Sequence, residues 1–230
     1  LLTSADRFLS GSGQNQLSSI DVTQRDEPAA TGQRTEPRVL IYHAHASENY
    51  APQPTHAPAG RPGDIVEVGR ELAAALEAKG IRTIHLTGVY DNPWREAYAA
   101  AGRAVADVLQ ANPSIEMVID VHRDAVESRT TGVATTHVGS VTAAKVLFTV
   151  GELNNPHVQA NATLATQLKQ ALDSRYPGVA RGVRMYKQET NGHLHPNAVE
   201  LHIGDYYDST LEEAKVTARY LADVIAAVLN

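Results

Sequence analysis

The stretch Val39-Leu40-Ile41-Tyr42-His43-Ala44-His45-Ala46-Ser47-Glu48 decides the fold. Four apolar residues in a row fit a strand of a parallel sheet, buried because helices cover both faces. The run stops abruptly at His-x-His-x-x-Glu. Ligands of open α/β sheets collect just beyond the carboxyl ends of the strands. Two imidazoles and a carboxylate at such an end suit a metal, zinc above all. A second apolar run, Met117-Val118-Ile119-Asp120-Val121, ends in His122-Arg123-Asp124, so two strands deliver histidines to one sheet edge.

The remaining elements follow outward from these strands. Residues 50–63 form a Pro/Gly loop, and a helix follows that Asp64 caps, Glu67 boxes and Gly80 ends. Its buried stripe is Ile65, Val68, Leu72 and Leu76. Residues 81–86 alternate as a strand, 94–111 read as an Ala-rich helix closed by Pro113, and 115–121 form the second histidine-bearing strand. Residues 133–138 and 141–150 read as a hairpin across Gly139-Ser140, with 146–150 as its core strand. A helix over 157–172, a short strand at 183–186, a turn at Asn191-Gly192 and a last strand over 198–203 come next. Thr210 and Glu213 box the closing helix, whose buried face is Ala214, Ala218, Leu221, Ile225 and Val228. The expected fold is a three-layer α/β sandwich: a mostly parallel sheet, helices on both faces and one β-hairpin.

Bulk properties narrow the function. A formal net charge of −6 over 230 residues, with a pI near 5.9, argues against nucleic acid or an anionic membrane as the main partner. The absence of cysteine leaves only His, Asp and Glu to hold a metal. Residues 1–37 are rich in Ser, Gln, Gly, Asp, Thr and Pro and read as a flexible N-terminal arm or linker, with the domain at 38–230. No window approaches the ~20 apolar residues of a membrane span. The chain starts at Leu1 without a methionine, so a processed or truncated product with its leader or anchor upstream is expected.

Among the histidines, His56, His85, His137 and His157 read as ordinary surface or core residues, and His85 has no evident partner in its strand. His43, His45, Glu48 and His122 share a place. Strand alternation sends His43 and His45 the same way, so both reach one ion, or one ligates while the other supports it. A catalytic zinc takes three protein ligands and an open position. His45, Glu48 and His122 supply that set, with His43 the spare and Asp120 and Asp124 orienting the imidazoles from behind. Glu200 and His202, two apart on the last strand, are the candidates for proton transfer. His193 and His195 lie just before that strand and could line the cleft.

These motifs, with Asp64-Ile65-Val66-Glu67-Val68-Gly69, Asn191-Gly192-His193-Leu194-His195-Pro196 and Thr210-Leu211-Glu212-Glu213-Ala214, resemble the stage II sporulation protein P family over about residues 38–230. The resemblance implies a zinc N-acetylmuramoyl-L-alanine amidase that releases stem peptides from peptidoglycan glycan, with glycan-strand (lytic transglycosylase) cleavage in some members. It further implies an N-terminal membrane anchor, a place outside the cytoplasmic membrane and membrane-anchored engulfment proteins as partners. The family's last motif, Leu-(Leu/Val)-Glu-Val-Gly, carries the glutamate implied as its acid/base. Aligned on Gly204, this chain has His202 there and Glu200 two residues earlier. Glu200 serves after a local shift, His202 does the proton work or becomes a further ligand, or the activity is impaired. The rival expectations are a catalytically weak, metal-binding peptidoglycan-binding module that localises partner hydrolases, and a metallohydrolase of a different amide or ester.

Overall fold

The computed structural model describes residues 35–125 and 133–230. In chain order these form β1 (Val39–Tyr42), α1 (Asp64–Glu77), β2 (Thr83–His85), a 3-10 turn (Trp94–Glu96) running into α2 (Ala97–Ala111), β3 (Met117–Asp124), β4 (Thr135–Val138), β5 (Val141–Ala144) and β6 (Val146–Gly151). Then come α3 (Val158–Arg175), β7 (Ala180–Tyr186), a second 3-10 turn (Asn191–Leu194), β8 (Ala198–Asp205) and α4 (Leu211–Leu229). Most of the expected arm over 1–37 lies outside the described residues.

Six strands form one sheet in the order β2-β1-β3-β8-β6-β7. Strands β2, β1, β3 and β8 run parallel, whereas β6 is antiparallel to β8 and parallel to β7. From β1 the chain goes to β2 on one side and returns to β3 on the other. This reversal opens a crevice at the carboxyl ends of β1 and β3.

Period-two alternation sorts the side chains onto two faces. Val39, Ile41, Met117, Ile119, Val121, Val199, Leu201 and Ile203 join one core with α1, α3 and α4. Leu40, Tyr42, Val118 and Ala198 join a second core with Ala101 and Val105 of α2. The layers are therefore as expected, with helices on both faces.

Three local expectations need correction. The hairpin is confined to β4 and β5, and Val146–Gly151 belongs to the main sheet beside β8. Both pieces are apolar, so composition alone did not show that the chain leaves the hairpin at Lys145. Strand β2 is three residues long rather than six. Helix α1 is capped at Gly63 without a side-chain bond. There Asn49 Oδ1 accepts from the Asp64 amide at 2.9 Å, Asp64 accepts from the Tyr50 amide at 3.1 Å, and Glu67 pairs with Arg70. At α4 the expected box forms, with Glu213 N to Thr210 Oγ1 at 3.3 Å and Thr210 N to Glu213 Oε2 at 2.8 Å.

Arg38, just before β1, ties the sheet to the last helix. Its Nε meets Glu116 at 2.8 Å, and its terminal nitrogens reach Asn230 Oδ1 at 3.1 Å and the Leu229 carbonyl at 2.7 Å. Charge-assisted bonds of this kind contribute a little over the usual amount, so Arg38→Ala should lower the unfolding free energy by about 2 kcal/mol in a urea titration.

Candidate functional site

Strand β1 ends at Tyr42, and residues 44–47 form a turn. Alternation therefore still governs His43, which follows Val39 and Ile41 onto the face under α1, but not His45. The expectation that the two histidines point the same way fails for this reason. His43 Nδ1 lies 2.9 Å from the Val121 carbonyl and Nε2 lies 2.9 Å from His85 Nε2. A carbonyl only accepts, so Nδ1 carries the His43 proton, Nε2 is the acceptor and His85 donates. His85 is thus a partner and not a bystander. Helix α1 comes close enough to enclose the pair only because residue 69 is glycine: a Cβ there would sit 2.4 Å from His43 Nε2.

Burial depresses both rings, His43 to about 3 and His85 to about 4, with His85 further lowering His43 and Arg70 further lowering His85. As pH falls below the ordinary 6.5, the unfolded chain takes up these protons before the folded one. The pair's contribution is full above that pH and drains away toward the folded values. In chelator-treated protein, His43→Leu/His85→Leu should therefore show a flatter fall in stability between pH 7 and 4.5 than the parent. Gly69→Ala, which overpacks the same spot, should cost about 1–3 kcal/mol at neutral pH.

The turn carries His45 to the opposite face, where Glu48 and His122 meet it. One ligand-capable atom from each of His45, Glu48 and His122 lies within 4.8 Å of the others, and all three residues are buried. His122 Nδ1 stands 3.5 Å from Glu48 Oε2. Two ligands bound at about 2.0–2.1 Å around a tetrahedral zinc stand roughly 3.3 Å apart, so this spacing fits one ion. Glu48 also accepts from the Arg123 amide at 3.0 Å, while the Arg123 side chain is pinned to the carbonyls of Asn49 at 3.0 Å and Thr55 at 2.7 Å. Burial alone would raise Glu48, but His122 and Arg123 outweigh it and hold the carboxyl at about 2.

On the far edge of the His122 ring, Nε2 is 3.0 Å from Asp120 Oδ1, which also accepts from the Ala44 amide at 2.9 Å. The Nε2 approach is a close contact off the hydrogen-bond line, and both Nε2 and Asp120 Oδ2 are buried without a hydrogen-bond partner. Burial would lower His122, but Asp120 and Glu48 together raise it well above its ordinary value. A neutral imidazole has one proton for two carboxylates. A cation shared by Nδ1 and Glu48 would leave Nε2–H for Asp120, the carboxylate–histidine–metal arrangement. The donor set therefore fits a metal. Asp124, expected beside Asp120, instead pairs with Arg181 at 2.8 Å, because the register between β3 and β8 shifts after His122.

Strand β8 completes the site. Its register sets Glu200 opposite Asp120 and His202 opposite His122. Glu200 Oε1 accepts from Thr149 Oγ1 at 3.0 Å and contacts His202 Nε2 at 2.6 Å, and Oε2 accepts from the Tyr98 hydroxyl at 3.2 Å. Burial would raise Glu200, but the His202 bond and the His122 charge hold it down at about 2. His202 stacks on His122 with centroids 5.4 Å apart, and its Nδ1 is buried without a partner. Asp120, His122 and Glu200 form a second group able to hold a metal, sharing His122 with the first.

Neither His193 nor His195 joins these groups: His193 Nδ1 contacts the Thr190 carbonyl at 3.0 Å, and His195 Nδ1 accepts from the Asn197 amide at 3.0 Å. Sequence reasoning missed Trp94, Tyr98 and Thr149. Trp94 stacks on His45 at 3.8 Å and 25°, and Tyr98 meets His45 edge-on at 5.3 Å. Their i,i+4 spacing at the start of an Ala-rich helix was the available signal.

The sequence model of the stage II sporulation protein P (SpoIIP) family matches residues 6–226. The chain belongs to the stage II sporulation protein P family. It is 28% identical to "Stage II sporulation protein P" of Bacillus subtilis (strain 168) over 236 residues, 93% of this chain but 56% of that protein. The chain thus spans little more than half the length of that SpoIIP relative. The solved structures that share its fold include two amidases. An N-acetylmuramoyl-L-alanine amidase from Clostridium difficile 630 gives a TM-score of 0.52 at 15% identity, covering 84% of this chain and 95% of the amidase. The CwlD amidase from Clostridioides difficile, solved with the GerS lipoprotein, gives 0.51 at 14% identity, covering 84% of this chain and all of CwlD (100%). At these identities the likeness is of fold, and this SpoIIP-family chain keeps that fold with a mostly parallel six-stranded sheet.

Proposed function

We propose that this chain is a zinc-dependent peptidoglycan hydrolase that cleaves the amide between N-acetylmuramic acid and the L-alanine of the stem peptide. The observation that carries this reading is the His45–Glu48–His122 group with Asp120 behind it and the Glu200–His202 pair beside it. A zinc ion held by His45, Glu48 and His122 would polarise the scissile carbonyl and make water acidic enough to lose its proton near neutral pH.

The chain's own residues then do the proton work. Glu200 Oε1 accepts Nε2–H of His202, which fixes the tautomer and leaves the unpartnered Nδ1 lone pair to take a proton. The buried carboxylate stabilises the imidazolium that forms, and His202 returns the proton to the leaving amine of L-alanine. Thr149 and Tyr98 hold Glu200 in place while it does so. On this reading His202 does the work of the glutamate that the family resemblance leads one to expect, with Glu200 as its orienting partner.

Zinc-loaded protein digesting purified sacculi should release free stem peptides, read by mass spectrometry. Sacculus binding without release would favour the metal-binding module that localises partner hydrolases, the reading that the histidine at position 202 keeps alive. New glycan ends in the same digest would reveal strand cleavage as well. On this reading the protein acts on the wall outside the cytoplasmic membrane, and its family membership supports a role in sporulation wall remodelling, with membrane-anchored engulfment proteins as the partners we propose. Among the described residues no helix is long and apolar enough to cross a membrane.

A further inference from the structure

We infer that Trp94 is a sugar-binding platform: its open surface takes the pyranose ring of the glycan strand beside the metal group. This deepens the amidase reading and rests on it for the identity of the substrate. Trp94 is the chain's one tryptophan. A large apolar ring is usually covered, yet this one is 48% exposed while His45 behind it is buried at 9%. The indole is nevertheless held still. It stacks on His45 at 3.8 Å and 25°, and His56 meets it at 4.9 Å and 82°. An aromatic surface fixed by its neighbours and open to solvent needs no ordering on binding, so contact area converts into affinity with little entropic loss.

The chemistry favours a sugar over a peptide. A pyranose ring presents a flat patch of C–H groups that suits the electron-rich indole face, while its hydroxyls and acetamido groups need polar partners around the rim. Asn92, Arg95 and Glu96 flank Trp94 and are all exposed, giving donors and acceptors on each side. The bond cleaved under the amidase reading has a muramic sugar on one side, and Trp94 touches His45, one of the proposed ligands. The sugar half of the substrate is thereby seated next to the reacting amide.

Because Trp94 is the only tryptophan, its emission reports directly on this surface. The full chain is titrated with tetra-N-acetylchitotetraose and, separately, with a free stem peptide, with zinc and with chelator. A saturable emission change with the oligosaccharide and none with the peptide is expected, metal present or not. By calorimetry, Trp94→Ala should weaken oligosaccharide binding at least about tenfold, whereas Trp94→Phe stays within a few-fold. Both variants should keep the parent's zinc content and melting temperature, and on sacculi Trp94→Ala should raise KM with kcat little changed. Unchanged oligosaccharide binding in Trp94→Ala overturns the assignment, as does an emission change with the peptide alone. Loss of zinc from both variants also overturns it, since Trp94 would then merely position His45. Failure of the amidase reading is distinguishable: oligosaccharide would bind through Trp94 while sacculi release no stem peptide.

Discussion

His122→Ala is expected to empty the proposed metal centre. His122 is the residue on which both candidate metal groups converge, and it sits between Glu48 at 3.5 Å and Asp120 at 3.0 Å. Its removal takes away one of the three proposed ligands and leaves two buried carboxylates without the ring between them, which further disfavours an intact pocket. Zinc affinity should fall on the order of 10³-fold, and stem-peptide release should fall with it. Asp120→Asn keeps the three proposed ligands but weakens the support of His122, and should cost about 10–100-fold in affinity. His43→Ala serves as the control. It lies two residues from His45 in sequence but bonds Val121 and His85 on the other face, so zinc should remain at about one per chain while stability falls. Metal analysis after dialysis checks all three. A His43→Ala protein that loses its zinc, or a His122→Ala protein that keeps it, would refute the ligand set.

The second large effect separates the two residues of β8. His202→Ala should keep zinc and lose roughly 10²–10⁴ in kcat, the usual worth of general acid–base help. Glu200→Gln should also keep zinc and lose activity, because an amide can neither fix the histidine tautomer unambiguously nor stabilise the imidazolium. If the two act as one unit, the double variant should be little worse than either single change. His202→Glu puts a carboxylate where the family resemblance suggests a glutamate, and should restore part of what His202→Ala loses. Retained zinc and full turnover in both single variants would remove β8 from the chemistry.

The sequence by itself determined a good deal. The largely apolar runs at 39–42 and 117–121, stopping at histidines, specified parallel strands and a polar cluster at their carboxyl ends, since a strand covered on both faces is mostly apolar and gathers its polar residues toward its end. The motif set was enough for the family, and Thr210 with Glu213 marked the start of α4 because a capping box is a local device. What is local in the chain is legible in the chain. Only the tertiary structure decided which side each histidine takes. Periodicity placed His43 beside His45, but a turn starting after β1 broke the period, and contacts with Val121, His85 and the glycine face of α1 claimed His43. The same holds for residues 146–151, which pair with β8 and not within the hairpin, and for Trp94 and Tyr98, which reach His45 only because α2 packs over the β1–β3 crevice. Long-range pairing and the exact end of a strand depend on which surfaces meet in space, and beyond the last extended residue a turn, not the two-residue period, sets the face each side chain takes.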